Sequence, residues 1–128
     1  MRLLMDTHTF IWWDSEPQRL SPHAMDLLSA PENQLLLSVV SVWEIQIKRQ
    51  LGKLSLSLPL AELIHTQQQF NQLEVILVSL EHVLALDDLP LHHNDPFDRL
   101  LIAQAIIEQI PLVSRDQFVS QYPAQVLW

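Results

Sequence analysis

The sequence predicts an α/β fold, a short and mainly parallel central sheet with helices on both faces. Three observations predict it. Short apolar runs alternate along the chain with segments of helical pattern, the arrangement that builds parallel sheets. The strand-like runs are continuously apolar rather than alternating, as strands buried on both faces must be. One helix, opening at Asp95-Pro96, is apolar nearly all round and therefore central.

The elements follow in order. Arg2 to Met5 is a buried strand that ends at Asp6-Thr7-His8, and Thr9 to Trp13 has a helical pattern. Ser21-Pro22 supplies an N-cap and a first-turn proline for a second helix, which should stop at about Ala30, before Pro31. Gln34 to Leu37 is the second strand. Ser38 or Ser41 then opens a helix through Val42, Trp43, Ile45 and Ile47 that ends near Gly52, the only glycine. Pro59 opens a helix to about Asn71, and Leu73 to Val78 is a third strand. A short helix from about Leu80 to Leu86 and a polar loop from Asp87 to Asn94 lead to the buried helix, which runs from Asp95 to about Gln109. Leu112 to Ser114 and Gln125 to Leu127 complete the sheet.

Size and composition bound the function. A chain of 128 residues, 48% hydrophobic, is expected to form a single domain spanning 1–128 with a real core. Without cysteine there is no disulfide or thiolate metal site, which suits a reducing cytoplasm. No apolar stretch approaches the roughly 20 residues that span a bilayer, and Asp6 interrupts the early apolar run, so neither a membrane anchor nor a signal peptide is expected. The net charge of −8 argues against a simple nucleic-acid binder, unless divalent cations offset the carboxylates or a basic partner covers them.

The positions of the acids carry the functional argument. Asp6 follows the first strand and Asp116 the fourth. Glu44 lies one turn into the helix after the second strand, and Asp98 lies in the first turn of the buried helix. In an open α/β sheet, ligands bind outside the carboxyl ends of the strands, and connectivity sends these acids there. Carboxylates crowded in one crevice repel, and Mg²⁺ or Mn²⁺, hard cations that prefer oxygen ligands, would relieve that cost. The chemistry that follows is phosphodiester hydrolysis by metal-activated water. Each acid also has a structural reading. Asp6 could close an Asx turn. Ser41 to Glu44 fits a capping box, with Glu44 also paired to Lys48. Asp95 and Asp98 fit an N-cap and a third helical position, and Asp116 fits a turn. None of these explains why all should meet at one edge.

The segments Leu4-Met5-Asp6-Thr7-His8, Ser41-Val42-Trp43-Glu44-Ile45, His93 to Ala105 with its Asp95-Pro96-Phe97-Asp98-Arg99 core, and Leu112-Val113-Ser114-Arg115-Asp116 resemble the successive motifs of PIN-domain proteins, in particular the VapC-like toxin branch. Order and spacing hold from Met1 to about Phe118. The resemblance implies a PIN-like α/β sandwich whose acidic site binds Mg²⁺ or Mn²⁺ and cleaves RNA. Asp6, Glu44, Asp98 and Asp116 match its four acidic positions, and Asp95 matches an acid of this branch. The expected function is a metal-dependent endoribonuclease, the toxin of a toxin–antitoxin pair. The expected partners are RNA, a cognate antitoxin and a second copy in a homodimer.

The alternatives are a metal-dependent phosphatase and an inactive PIN-like binding module. The phosphatase would need an acid two residues after its aspartate nucleophile, where His8 stands; the binding module would predict a broken acidic set. Lys48, Arg49 and Lys53 form one basic cluster that could hold an RNA backbone or be a solvated helix face. Arg99 and Arg115 could touch phosphate, and are expected rather to balance the carboxylates. His92-His93 is assigned a loop role, and His8 lies near the acids without a catalytic assignment. Trp12, Trp13 and Trp43 are expected to pack, although Trp12-Trp13 could join a partner groove.

Overall fold

The structure, a computed structural model, describes residues 1–91, 94–116 and 119–128. His92 and His93 lie outside them. Strand β1 (Arg2–Met5) passes directly into helix α1 (Thr7–Ser15), because Asp6 ends the one and caps the other, accepting the Thr9 N–H at 2.8 Å. A single 3-10 turn, Pro17–Arg19, separates it from α2 (Pro22–Ser29). Ser21 caps α2 as predicted: its hydroxyl accepts the Ala24 N–H at 2.9 Å. Strand β2 (Gln34–Ser38) then enters α3 (Val39–Gln50) with no loop between them. Ser38 is its cap, accepting from the Val40 N–H at 3.1 Å, so the capping box read at Ser41 to Glu44 does not form. Ser41 lies inside the helix instead, and its hydroxyl accepts from Thr7 Oγ1 at 2.9 Å. Beyond α3 the chain turns at Gly52, whose φ of +70° is the left-handed conformation glycine adopts at least cost.

Helix α4 (Leu60–Phe70), strand β3 (Glu74–Ile76) and helix α5 (Leu80–Leu84) follow. Ser79 and His82 cap α5 reciprocally. A 3-10 turn, Ala85–Asp88, covers the end of the segment read as a short helix and the first two residues of the one read as a polar loop. Helix α6 (Pro96–Glu108) carries Asp95 as N-cap and Pro96 in its first turn, and buries Leu101 to Ala105. Two short strands, β4 (Leu112–Val113) and β5 (Val126–Leu127), flank a last 3-10 turn at Val119–Gln121.

The five strands form one sheet in the order β3-β2-β1-β4-β5, with every pairing parallel. Leu3 pairs with Leu35, Leu4 with Leu36 and Met5 with Leu37. Side chains alternate across a strand, so this register divides the core in two. Leu3, Met5, Leu35, Leu37 and Val113 pack on one face with Phe10, Ala24, Leu28, Ile45 and Leu63. Leu4, Leu36 and Leu112 pack on the other with Ile102, Ala105, Ile110 and Tyr122. From β1 the chain builds outward to β2 and β3, then returns past β1 to β4 and β5, so the order reverses between β1 and β4. Among the described residues no helix is long and apolar enough to cross a membrane.

Candidate active site at the carboxyl edge

Asp6 and Asp116 follow the two strands that meet at this reversal, and both line a cavity of about 320 Å³ together with His8, Trp12 and Arg115. That is the place where open α/β sheets bind ligands. Asp6 is held closely. Its own N–H donates to the Val113 carbonyl at 3.1 Å, which ties the end of β1 to the end of β4. Thr9 Oγ1 donates to the same carbonyl at 3.0 Å. Burial pushes the Asp6 carboxyl above its ordinary range, because a charge removed from water is costly; hydrogen bonds from Ser114 and Thr9 oppose the shift without cancelling it. Asp116 is positioned by its backbone N–H, which donates to Ser114 Oγ at 3.0 Å.

Glu44 is not among the residues that line this cavity; it lies on α3, the helix that follows β2. The Thr7–Ser41 hydrogen bond joins the first turn of α1 to α3, and Glu44 lies one turn beyond Ser41, only 5% exposed. Lys48 Nζ sits 3.0 Å from Glu44 Oε2, the predicted ion pair. Glu44 Oε1 is buried and meets no hydrogen-bond donor among the described residues. A carboxylate oxygen without a donor is costly in a low-dielectric site and is a vacant acceptor for a cation or a water. Asp98 stands in the first turn of α6, half-buried. Trp43 and Phe97, the residues before Glu44 and Asp98, meet edge-on with ring centroids 5.2 Å apart, so α3 and α6 touch where they carry these acids. Asp95 turns inward: its Oδ1 accepts from Phe97 N at 2.9 Å and Asp98 N at 3.3 Å.

The acids therefore fall into a pair that lines one cavity, Asp6 and Asp116, and two more on the abutting helices. Among the described residues no three His, Asp or Glu side chains gather into a ready-made metal shell. Arg99 departs from its expected role. Instead of balancing carboxylates it donates to the carbonyls of Pro90 at 2.9 Å and Leu86 at 3.2 Å and to the Tyr122 hydroxyl at 3.3 Å. A carbonyl has two lone pairs, so the Leu86 oxygen accepts both the Leu89 N–H at 3.2 Å and Arg99, and the guanidinium fork reaches the Pro90 carbonyl as well. Arg115 does lie with the acids, its Cζ 5.9 Å from the Trp12 ring centroid. Of the basic cluster, Lys48 is engaged by Glu44, whereas Arg49 lines a separate groove with Leu54 to Pro59. Sequence reasoning missed the grouping of His8, Trp12 and Arg115: His8 and Trp12 are one helical turn apart, but Arg115 lies more than a hundred residues on, and the signals were that i,i+4 spacing and the nearness of His8 and Arg115 to Asp6 and Asp116.

A parallel α/β sheet with paired carboxylates at its switch point defines a class of small acidic-cleft proteins. The chain belongs to the PIN domain family, whose sequence model matches residues 3–124. It is 28% identical over 116 residues to Ribonuclease VapC22 of Mycobacterium tuberculosis, covering 90% of this chain and 87% of that one. Among solved structures its fold is similar to that of VapBC2 from Rickettsia felis bound to a DNA fragment from its promoter, with a TM-score of 0.73 and 17% identity over 99% of this chain and 98% of that chain. A toxin–antitoxin complex from Klebsiella pneumoniae gives a TM-score of 0.61 at 16% identity, covering 98% and 96%.

Proposed function

We propose that the chain is a metal-dependent endoribonuclease that hydrolyses RNA phosphodiester bonds and acts as the toxin of a toxin–antitoxin pair. The observation that carries this reading is the cavity at the β1–β4 reversal, lined by both Asp6 and Asp116. Similarity to a protein named as a ribonuclease supports the reaction class.

Mg²⁺ or Mn²⁺ is the proposed cofactor, and the residues fit it. The acids that would hold it offer oxygen donors, burial penalises the charged form of Asp6 unless a cation offsets it, and Glu44 Oε1 has an acceptor to spare. A complete protein shell is not required. Mg²⁺ commonly binds through one or two carboxylates and fills its remaining positions with water and substrate phosphate. Asp6 and Asp116 would hold the cation. When bound it supplies an activated water and neutralises charge on the scissile phosphate. Glu44, with one oxygen fixed by Lys48, is assigned to orient that water through the other. Asp98 is the fourth acid of the site, and Asp95 acts through it by fixing the start of α6. Lys48, Arg49 and Lys53 are proposed as contacts to the RNA backbone, with Lys48 limited by its ion pair.

The partners follow the same logic. An antitoxin could place an arginine among the carboxylates, since its planar fork pairs with them bidentately, and a chain of net charge −8 would favour a basic partner. A homodimer would cover the exposed apolar residues Leu77, Leu80, Val83 and Leu84. Incubating the purified protein with RNA and Mg²⁺ tests the central reading. Discrete internal cleavage is expected, abolished by EDTA and by Asp6→Asn or Asp116→Asn. Cleavage that survives both chelation and these substitutions would overturn it.

A further inference from the structure

The cavity that holds Asp6 and Asp116 has a second, chemically different wall. His8 stacks on Trp12 with ring centroids 5.7 Å apart and planes inclined by 29°. Arg115 lies with its Cζ 5.9 Å from the Trp12 ring, and Arg19 approaches the same ring at 5.6 Å. Trp12 is half-buried, braced edge-on by Trp128 at 6.0 Å and packed against the core of that face. His8 and Arg115, by contrast, are exposed. Here a fixed indole carries an exposed imidazole, and an exposed guanidinium lies beside it, all on one small cavity.

We propose that His8, Trp12 and Arg115 form a base platform that holds one unpaired nucleobase of the RNA beside Asp6 and Asp116. The inference rests on the ribonuclease reading and adds to it the side chains that would hold one base of the substrate. Aromatic rings and guanidinium planes are the surfaces on which unpaired bases stack. The two acids repel phosphate unless a cation is present, so without one the flat groups are the wall that attracts a nucleotide. Both walls line the same cavity, so a base against one lies next to the other. At about 320 Å³ the cavity is at the small end of ligand sites, which suits one base rather than a stacked run. A base inside a duplex has both faces covered by its neighbours and offers none to the platform. The platform therefore engages a base only where the strand is unpaired. Because every base has a π face, it fixes the position of the cut more than the letter read there.

An abasic walk tests this. Short 2′-O-methyl phosphorothioate oligoribonucleotides, which resist hydrolysis, are bound to the full chain with Mg²⁺ and followed by fluorescence anisotropy, with a single abasic residue moved along the strand. Wild type should lose roughly tenfold in affinity at one position and little elsewhere, the order of magnitude that stacking one base contributes. His8→Ala should flatten the profile, and His8→Phe, which keeps a flat ring, should restore it. A flat profile for wild type overturns the proposal, and so does a dip unchanged in His8→Ala. It is equally overturned if His8→Ala leaves RNA binding intact and loosens only a bound partner protein. Cleavage of unmodified single-stranded RNA in the same buffer separates the two readings: cleavage with a flat profile removes the platform alone, and a dip without cleavage removes the nuclease alone.

Discussion

The carboxylate of Asp6 accepts the Thr9 N–H at 2.8 Å while burial withholds water from it. These two facts pull stability in opposite directions, and a pair of substitutions separates them. Because the folded carboxyl titrates above the ordinary value of 3.8, the native state binds more protons than the unfolded chain just above that value. Stability is therefore lost as pH rises from there through the folded pKa, and the penalty persists at neutral pH. Asparagine keeps the cap and removes the charge, so Asp6→Asn should raise the melting temperature of metal-free protein at pH 7 and lose that advantage near pH 3. Asp6→Ala forfeits the cap as well, at about 0.5–2 kcal/mol, and should melt below Asp6→Asn. Thermal melts at both pH values check this; Asp6→Asn melting below wild type at pH 7 would contradict it. At this scale the position of Asp6 was legible, since a strand-ending acid before a helix can do little but cap or bind. The assignment of Arg99 was not, because its partners are backbone carbonyls, which leave no mark in a sequence.

Helix α3 starts on the residue that follows a strand and α1 starts one residue later, after Asp6, which explains why their types were legible and their starts were not. The sequence offered Ser38 and Ser41 as caps for α3, three residues apart, and only the absence of a loop selects Ser38. That shift places Glu44 well inside the helix, where it can pair with Lys48 but cannot close a capping box. Helix α6 was the most legible element, with Asp95, Pro96 and a continuous apolar run marking its start and burial. What precedes it was read as a helix to about Leu86 and then a plain loop, yet residues 85–88 form a 3-10 turn whose Leu86 carbonyl is shared by the Leu89 N–H and Arg99. Replacing Arg99 by methionine keeps the apolar stem and removes every donor. It should cost about 1.5–3 kcal/mol in urea denaturation, the range for hydrogen bonds to a charged group. Arg99→Lys should recover only part, since one ammonium cannot reach carbonyls set apart as those of Leu86 and Pro90 are. A loss below about 0.5 kcal/mol for Arg99→Met would mean that the turn holds itself.

At the scale of the molecule, a charge of −8 and two carboxylates on one cavity are the features on which the proposed cation binding rests. Anything that binds the native state alone stabilises it by mass action, by about 2.7 kcal/mol at a ligand concentration one hundred times Kd. Mn²⁺ should therefore raise the melting temperature of wild type in proportion to the logarithm of its concentration, and do so much less for Asp6→Asn. Equal shifts for both proteins would place the bound ion elsewhere. The order of the sheet has its own consequence for how such a cleft comes into being. The strand made first, β1, sits in the middle, and its β4 neighbour begins more than one hundred residues later. While the chain is being synthesised, β1 can pair with β2 early, but its other edge stays open until residue 112 arrives. Pairing over so long a separation is slow, because the entropy of closing the loop is lost before any contact rewards it. The cavity that needs both strand ends is thus among the last features to form. A nascent chain carries Asp6 and Glu44 for most of its synthesis without the crevice that would arm it, and chains stopped short of β4 should be inert.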